Sequence, residues 1–206
     1  MTTPRPSKIV CVGRNYLEHA RELGNELPER PLLFFKPPSA VIEDGDPIVL
    51  PADSTRVEHE GEIAVVIGAH ARHVSVAQAA RYVGAIAPLN DVTARDLQKT
   101  DGQWARAKGF DTFSPIGTPI PVGQVELSEL EVLCRVNGEL RQRGHVREMA
   151  FDIPTLIAYI SRIMTLEPGD VIATGTPAGV GPLHAGDVVE VEIPGVGVLR
   201  NPVVAE

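Results

Sequence analysis

Between Val57 and Gly68 the chain reads Val-Glu-His-Glu-Gly-Glu-Ile-Ala-Val-Val-Ile-Gly, a β-branched apolar run with two carboxylates two residues apart at its start. β-Branched residues favour an extended backbone, and side chains alternate across a strand. Glu60 and Glu62 therefore share one face, while Ile63, Val65 and Ile67 fill the other. A sheet that contains this strand must bury its apolar face and still hold two anions at the edge of its core. Carboxylates converging in a low-dielectric setting repel each other unless a cation lies between them. Hard oxygen ligands of this kind select Mg²⁺, Mn²⁺ or Ca²⁺ over Zn²⁺.

The remaining apolar segments are short because Gly 19 and Pro 18 punctuate them, which predicts a strand-rich domain with many turns and few helices. Ile9–Gly13 and Leu32–Lys36 read as strands, the second stopped by Pro37-Pro38. Asn137-Gly138 favours the positive φ angles of a type I′ hairpin, with strands on both sides. Val171 to Ala173, Val188 to Ile193 and Val196 to Leu199 give a β-rich C-terminal third. Two helices are expected. One starts at an Asp152 cap with Pro154 in its first turn and carries Ile153, Leu156, Ile157, Ile160 and Met164 as an apolar stripe. The other covers roughly Tyr16 to Leu23, capped by Asn15, with His19 and Glu22 one turn apart on one face.

A length of 206 residues suits one domain with a sizeable core, and a net charge of -8 argues against nucleic-acid binding and against an anionic membrane surface. No stretch approaches the length of a membrane span and no leader pattern opens the chain, so a cytoplasmic protein acting on small molecules is expected. Cys11 and Cys134 sit inside apolar runs, as buried free thiols do, although spacing alone leaves a bridge open.

Asp91, at the end of the apolar run Tyr82–Asn90, is either a third metal ligand or the cap of a following helix. The loop Gly175-Thr176-Pro177-Ala178-Gly179-Val180-Gly181 is no nucleotide fingerprint: no Lys-Ser/Thr follows its glycines and the third glycine of a dinucleotide motif is missing. His70 and His73 have an H-x-x-H spacing, but no Cys or further His accompanies them at zinc-ligand distance. His145 and His184 receive no role.

Six ordered motifs carry a family resemblance. They are Val12-Gly13-Arg14-Asn15-Tyr16 with His19 and Glu22, Phe35-Lys36-Pro37, His59-Glu60-Gly61-Glu62, Asp91 to Gln98, Lys108-Gly109-Phe110-Asp111, and Thr174 to Gly181. From about Lys8 to Val204 the chain resembles the fumarylacetoacetate hydrolase superfamily, in particular its short acylpyruvase and oxaloacetate decarboxylase members. The resemblance implies an α+β fold: a β-rich mixed-sheet roll of the fumarylacetoacetate hydrolase C-terminal-domain type with few helices. It implies one catalytic domain over 1–206, with a flexible N-terminus over 1–8, a mobile lid over about 15–30, and a homodimer. Mg²⁺ or Mn²⁺ rather than Ca²⁺ would be held by Glu60, Glu62 and Asp91. His19 and Glu22 would form a dyad on the lid, and Lys108 would join them in catalysis. Lys36, Arg95, Gln98 and Thr176 would contact the substrate. The resemblance reaches no extra N-terminal domain like that of the larger members, so their specific substrate is not expected to transfer, and Gly61 is smaller than the residue often found between the two glutamates.

The expected reaction is Mg-dependent hydrolysis of a carbon–carbon bond in acylpyruvate-type 2,4-dioxo acids, through a metal-bound pyruvate enolate. His19, oriented by Glu22, would activate the water, and Lys108 would stabilise the oxyanion. Oxaloacetate decarboxylation and isomerisation or decarboxylation of a 2-hydroxyhepta-2,4-diene-1,7-dioate-type diacid use the same electrostatic device and are the alternatives. A catalytically silent metal-binding interaction protein is the reading from another class, and retention of His19, Glu22, Lys108 and all three carboxylates speaks against it.

Overall fold

The computed structural model describes residues 6–22, 24 and 28–206. Residues 1–5 of the expected N-terminal segment, and 23 and 25–27 of the expected lid, lie outside the described residues.

The strand Gly61–Ile67 forms as its alternation predicts and lies inside a six-stranded sheet. The order is Ile120–Pro121, Val83–Asn90, Gly61–Ile67, Val171–Ala173, Ile9–Gly13, Leu32–Lys36. Ile9–Gly13 runs parallel to Val171–Ala173, and every other neighbour is antiparallel, so the sheet is mixed. A second sheet of five strands has the order Glu139–His145, Glu131–Val136, Val188–Ile193, Gly197–Ala205, Ile48–Leu50. Alternation is plain in Val188–Ile193, where Val189, Val191 and Ile193 are buried between the less buried Glu190 and Glu192.

The two sheets enclose the main core. Ile63, Val65, Ile67 and Ile86 of the first pack in one cluster with Val132, Cys134, Val136, Val189 and Val191 of the second. Full burial of each such aliphatic side chain contributes about 1.5–3 kcal/mol. The sheets approach closely at Gly61, where an added Cβ would lie 2.9 Å from the Cys134 Cβ. The opposite face of the first sheet carries small or modest side chains, Cys11, Ala64, Ala87 and Ala173 among them, and it is on this face that Glu62 projects.

The Asn137-Gly138 hairpin adopts the expected left-handed pair, with φ of 53 and 80°. Asp152 caps the helix Ile153–Ile163 by accepting the Thr155 N–H at 2.8 Å, and Ile153, Leu156, Ile157 and Ile160 are buried along it. Both cysteines are free and buried.

Several expectations change. The last strand is Gly197–Ala205, longer than Val196 to Leu199, because its far half pairs in parallel with Ile48–Leu50, a partner distant in sequence. Asn15 is not a helix cap: its Oδ1 accepts the Phe151 N–H, and its Nδ2 donates to the Phe151 and Thr174 carbonyls. The helix that follows spans Leu17–Glu22. Three further short helices, Val76–Ala79, Arg95–Thr100 and Ala105–Gly109, have too few turns to show a 3.6-residue apolar period. Among the described residues, no helix is long and apolar enough to cross a membrane.

Candidate active site

Strand register brings the three carboxylates together. Gly61 lies opposite Asn90 and Glu62 opposite Leu89, so Glu60 and Asp91, each one residue beyond the Gly61–Asn90 pair, meet at the end of the ladder. The Asp91 N–H donates to the Glu60 carbonyl at 2.8 Å, and the Glu60 N–H donates to Asn90 Oδ1 at 2.9 Å. The next helix begins only at Arg95, so Asp91 caps nothing. One oxygen from each of Glu60, Glu62 and Asp91 lies within 4.8 Å of the others, and all three residues are buried. No other Asp, Glu, His or Cys cluster of this kind occurs among the described residues.

The charged groups around the triad neutralise its carboxylates unequally. Arg95 donates to both Glu58 and Glu60. Lys108 Nζ bridges Glu60 Oε2 and Asp91 Oδ2 at 2.7 Å each, and Lys36 Nζ lies 2.6 Å from Asp91 Oδ1. Burial raises the Glu60 carboxyl, yet Lys108 and Arg95 outweigh it and hold Glu60 well below the usual carboxylate range. Glu62 has no such partner among the described residues; it accepts one bond, from the Gly175 N–H at 2.8 Å. Burial first, then the charges of Asp91 and Glu60, push its carboxyl well above the ordinary value. A buried carboxylate without a cation, facing two others, is the setting in which a hard divalent ion fits, and an all-oxygen donor set suits Mg²⁺ or Mn²⁺.

The triad forms the floor of a cleft of about 270 Å³, lined also by Val12, Gly13, Arg14, His19, Phe34, Arg95, Gln98, Lys99, Trp104, Lys108 and Thr176. His19, 5% exposed, reaches it from the helix Leu17–Glu22, with Nδ1 3.3 Å from Glu22 Oε2. A proton on Nδ1 would suit this carboxylate acceptor and, in a neutral ring, would leave Nε2 its lone pair. Arg95 and Gln98, one turn apart, line the cleft together, and Arg95 Nη1 donates to Gln98 Oε1 at 2.6 Å. Burial lowers the Lys108 pKa, but Asp91 and Glu60 dominate and raise it, which keeps the ammonium charged. Its Nζ also sits 4.9 Å from the centre of the Phe34 ring.

Lys36 and Thr176, two of the expected substrate contacts, also have partners within the protein. Lys36 is behind Asp91 and does not line the cleft; its Nζ also donates to the Val92 carbonyl at 2.9 Å. Thr176 lines the cleft, but its hydroxyl donates to the Gly61 carbonyl at 2.9 Å and accepts from Gln142 Nε2 at 2.7 Å. His70 faces Glu167, His184 faces Asp187, and His145 caps the short turn Val146–Glu148. Sequence reading missed Glu58, which holds Arg95, and Gln142, a buried amide whose Oε1 also accepts the Gly61 N–H at 2.9 Å. Glu58, on the strand Val57–His59, had a signal, an acid two residues before Glu60. Gln142 had none, since only long-range packing buries it.

Comparison with known proteins agrees with the fold. The mitochondrial oxaloacetate tautomerase FAHD1 of Arabidopsis thaliana is 48% identical over 195 residues, covering 92% of this chain and 87% of the relative. A 2-hydroxyhepta-2,4-diene-1,7-dioate isomerase structure from Mycobacterium marinum matches with a TM-score of 0.90 at 46% identity, covering 98% of this chain and 76% of that one. The fumarylpyruvate hydrolase of Pseudomonas aeruginosa, solved in complex with Mn²⁺ and pyruvate, matches with a TM-score of 0.93 at 33% identity, covering 98% and 91%. Residues 8–204 match the fumarylacetoacetate (FAA) hydrolase C-terminal family, and the chain belongs to that family of enzymes.

Proposed function

We propose that this protein is a divalent-cation-dependent enzyme that hydrolyses a carbon–carbon bond of acylpyruvate-type 2,4-dioxo acids. The observation that carries this reading is a base held over an acidic floor: His19, backed by Glu22, lines the same cleft as Glu60, Glu62 and Asp91. Decarboxylation needs no general base, whereas attack by water does. The Mn²⁺ in the structure of the Pseudomonas relative supports a requirement for a divalent cation of the Mn²⁺ or Mg²⁺ kind.

A bound cation would supply a Lewis acid to the carboxylate and keto oxygens of the 2-oxo acid. The residues of the chain do the rest. His19 Nε2 accepts a proton as water oxygen bonds to C4, and Glu22 stabilises the imidazolium that results. Lys108 offsets the negative charge that develops at the C4 oxygen. When the C3–C4 bond breaks, its electron pair passes to the pyruvate enolate, and the proton held on His19 goes to C3, giving pyruvate and a carboxylic acid. Arg95 and Gln98, at the rim of the triad, orient the substrate.

A second reading is oxaloacetate keto–enol tautomerisation, supported by the identity to the Arabidopsis relative. There His19 would shuttle one proton between C3 and the enol oxygen, with no water consumed. Turnover of acetylpyruvate and of oxaloacetate, each with Mg²⁺, with Mn²⁺ and with EDTA, separates the two. We expect metal-dependent pyruvate release from acetylpyruvate. Loss of the oxaloacetate enol absorbance without release of CO₂, and with no pyruvate from acetylpyruvate, establishes the second reading instead.

A further inference from the structure

The loop between Thr174 and Gly181 presents two backbone N–H groups to two different parts of the site. Gly175 N–H donates to Glu62, and four residues later Gly179 N–H donates to Glu22, 3.1 Å from Oε1 and 3.2 Å from Oε2. Glu22 Oε2 is the same oxygen that faces His19 Nδ1. The helix Leu17–Glu22 is under two turns long, with Leu17, Glu18 and Arg21 exposed, and so short a helix does not sustain itself in water. Asn15 fixes its start through Phe151 and Thr174. Among the described residues, the hydrogen bond that ties its far end to the body is the one from Gly179 to Glu22.

The donor is itself rigidly placed. Gly179 has φ of +100°, and an added Cβ would lie 2.0 Å from the Arg141 carbonyl oxygen, so the position admits glycine alone without rearrangement. Arg141 is the extra residue of a β-bulge, because Cys134 pairs with Gln142 while Arg135 pairs with Leu140. The adjacent Gln142 holds the loop through Thr176 Oγ1 at 2.7 Å and the Pro177 carbonyl at 2.8 Å, and holds the Glu60–Glu62 segment through the Gly61 N–H. One side chain thus sets the loop at a fixed distance from the triad.

We propose that Gly179 is a positioning residue: its N–H, braced by Gln142 and the bulge at Arg141, holds Glu22 against His19 and latches the Leu17–Glu22 helix over the cleft. Its kinetic consequence rests on the reading of His19 as the base; its structural consequence does not. The coupling has a direction, since a displaced Gly179 releases the dyad while leaving Glu60, Glu62 and Asp91 in place.

Replacing Gly179 by glycolic acid converts its amide to an ester, which removes the N–H and adds no atom that could clash. Hydrogen exchange of peptide 16–24, followed by mass spectrometry, should accelerate about 10- to 100-fold, the weight of one hydrogen bond to a charged acceptor. Exchange in the strand Gly61–Ile67 should stay as in the unmodified protein. With Mg²⁺ and acetylpyruvate, kcat should fall by a comparable factor with KM little changed, and the ester should have no further effect in a Glu22→Ala background. Gly179→Ala, which also displaces the Arg141 carbonyl, should accelerate the same peptide at least as much. Unchanged exchange in the ester overturns the proposal, and so does a full further loss in the Glu22→Ala background. Accelerated exchange in a protein whose His19→Ala variant turns over normally upholds the latch and removes the reading of His19 as base.

Discussion

Lys36 Nζ lies 2.6 Å from Asp91 Oδ1 with both side chains sealed from water, so this ammonium serves the acidic floor from behind. Burial pulls its pKa down, and Asp91 opposes that pull. Lys36→Met keeps the bulk and removes the charge, leaving the Val92 carbonyl without its donor and Asp91 with Lys108 alone. We expect a loss of about 3 kcal/mol in the metal-free protein by urea denaturation, the lower end for a broken buried pair because Lys108 remains. Saturating Mg²⁺ should restore part of it, since a ligand of the native state stabilises by mass action. Equal stability of variant and parent would show that the pair contributes nothing.

Glu62 gives the opposite sign. Its carboxyl is raised by burial and by Asp91 and Glu60, so the folded protein binds a proton there more tightly than the unfolded chain does. The native state therefore loses stability as pH rises from the ordinary carboxylate range through the raised value, and the strain is largest above it. Glu62→Gln removes that titration. Metal-free at pH 8, the variant should melt about 3 °C higher, the shift that roughly 1 kcal/mol gives a domain of this size, and the gain should vanish at pH 4. The same variant should lose the rise in Tm that Mg²⁺ or Mn²⁺ gives the parent. A variant that melts lower at pH 8 would contradict the sign.

The sequence made some of this legible and concealed the rest for physical reasons. Glu60 and Glu62 could be paired because a two-residue period is local. Asp91 stood between ligand and helix cap until the register of Gly61 against Asn90 decided where it points, and register is set by strands 30 residues apart. Lys36 shares a sheet face with Glu62 through the ladder Lys36, Ile9, Val171, Val66, which no local pattern reveals. The helix cap assigned to Asn15 failed for a related reason: its amide is satisfied by Phe151 and Thr174, both more than a hundred residues away.

Gly61 separates packing from chemistry. It lies between two carboxylates of the triad, yet a Cβ there would point at the Cys134 Cβ, 2.9 Å away, and not into the cleft. Gly61→Ala forces the two sheets apart, and overpacking of this kind typically destabilises by about 1–3 kcal/mol. Mg²⁺ affinity measured by calorimetry on the folded fraction should change less than threefold, roughly the 0.7 kcal/mol expected of a small backbone shift. A collapse of affinity with stability intact would mean that Gly61 is kept small for the ligands.

His19 tests whether base and metal floor are separable. Its ring is fixed by Glu22 and approaches the triad from a different segment of chain, so it is placed to act on water or a substrate proton. His19→Ala removes the base without touching Glu60, Glu62, Asp91 or the lysines that neutralise them. General-base catalysis contributes about 10²- to 10⁴-fold, and kcat on acetylpyruvate should fall by that factor. Calorimetric Mg²⁺ affinity should stay close to that of the parent, whereas in Glu62→Gln it should collapse. Glu22→Gln should lie between, because a neutral amide still orients the ring but does not stabilise its charged form. Wild-type kcat in His19→Ala would move the proton transfer to another group lining the cleft, and Lys108 is the first to examine because it is the titratable donor nearest both Glu60 and Asp91.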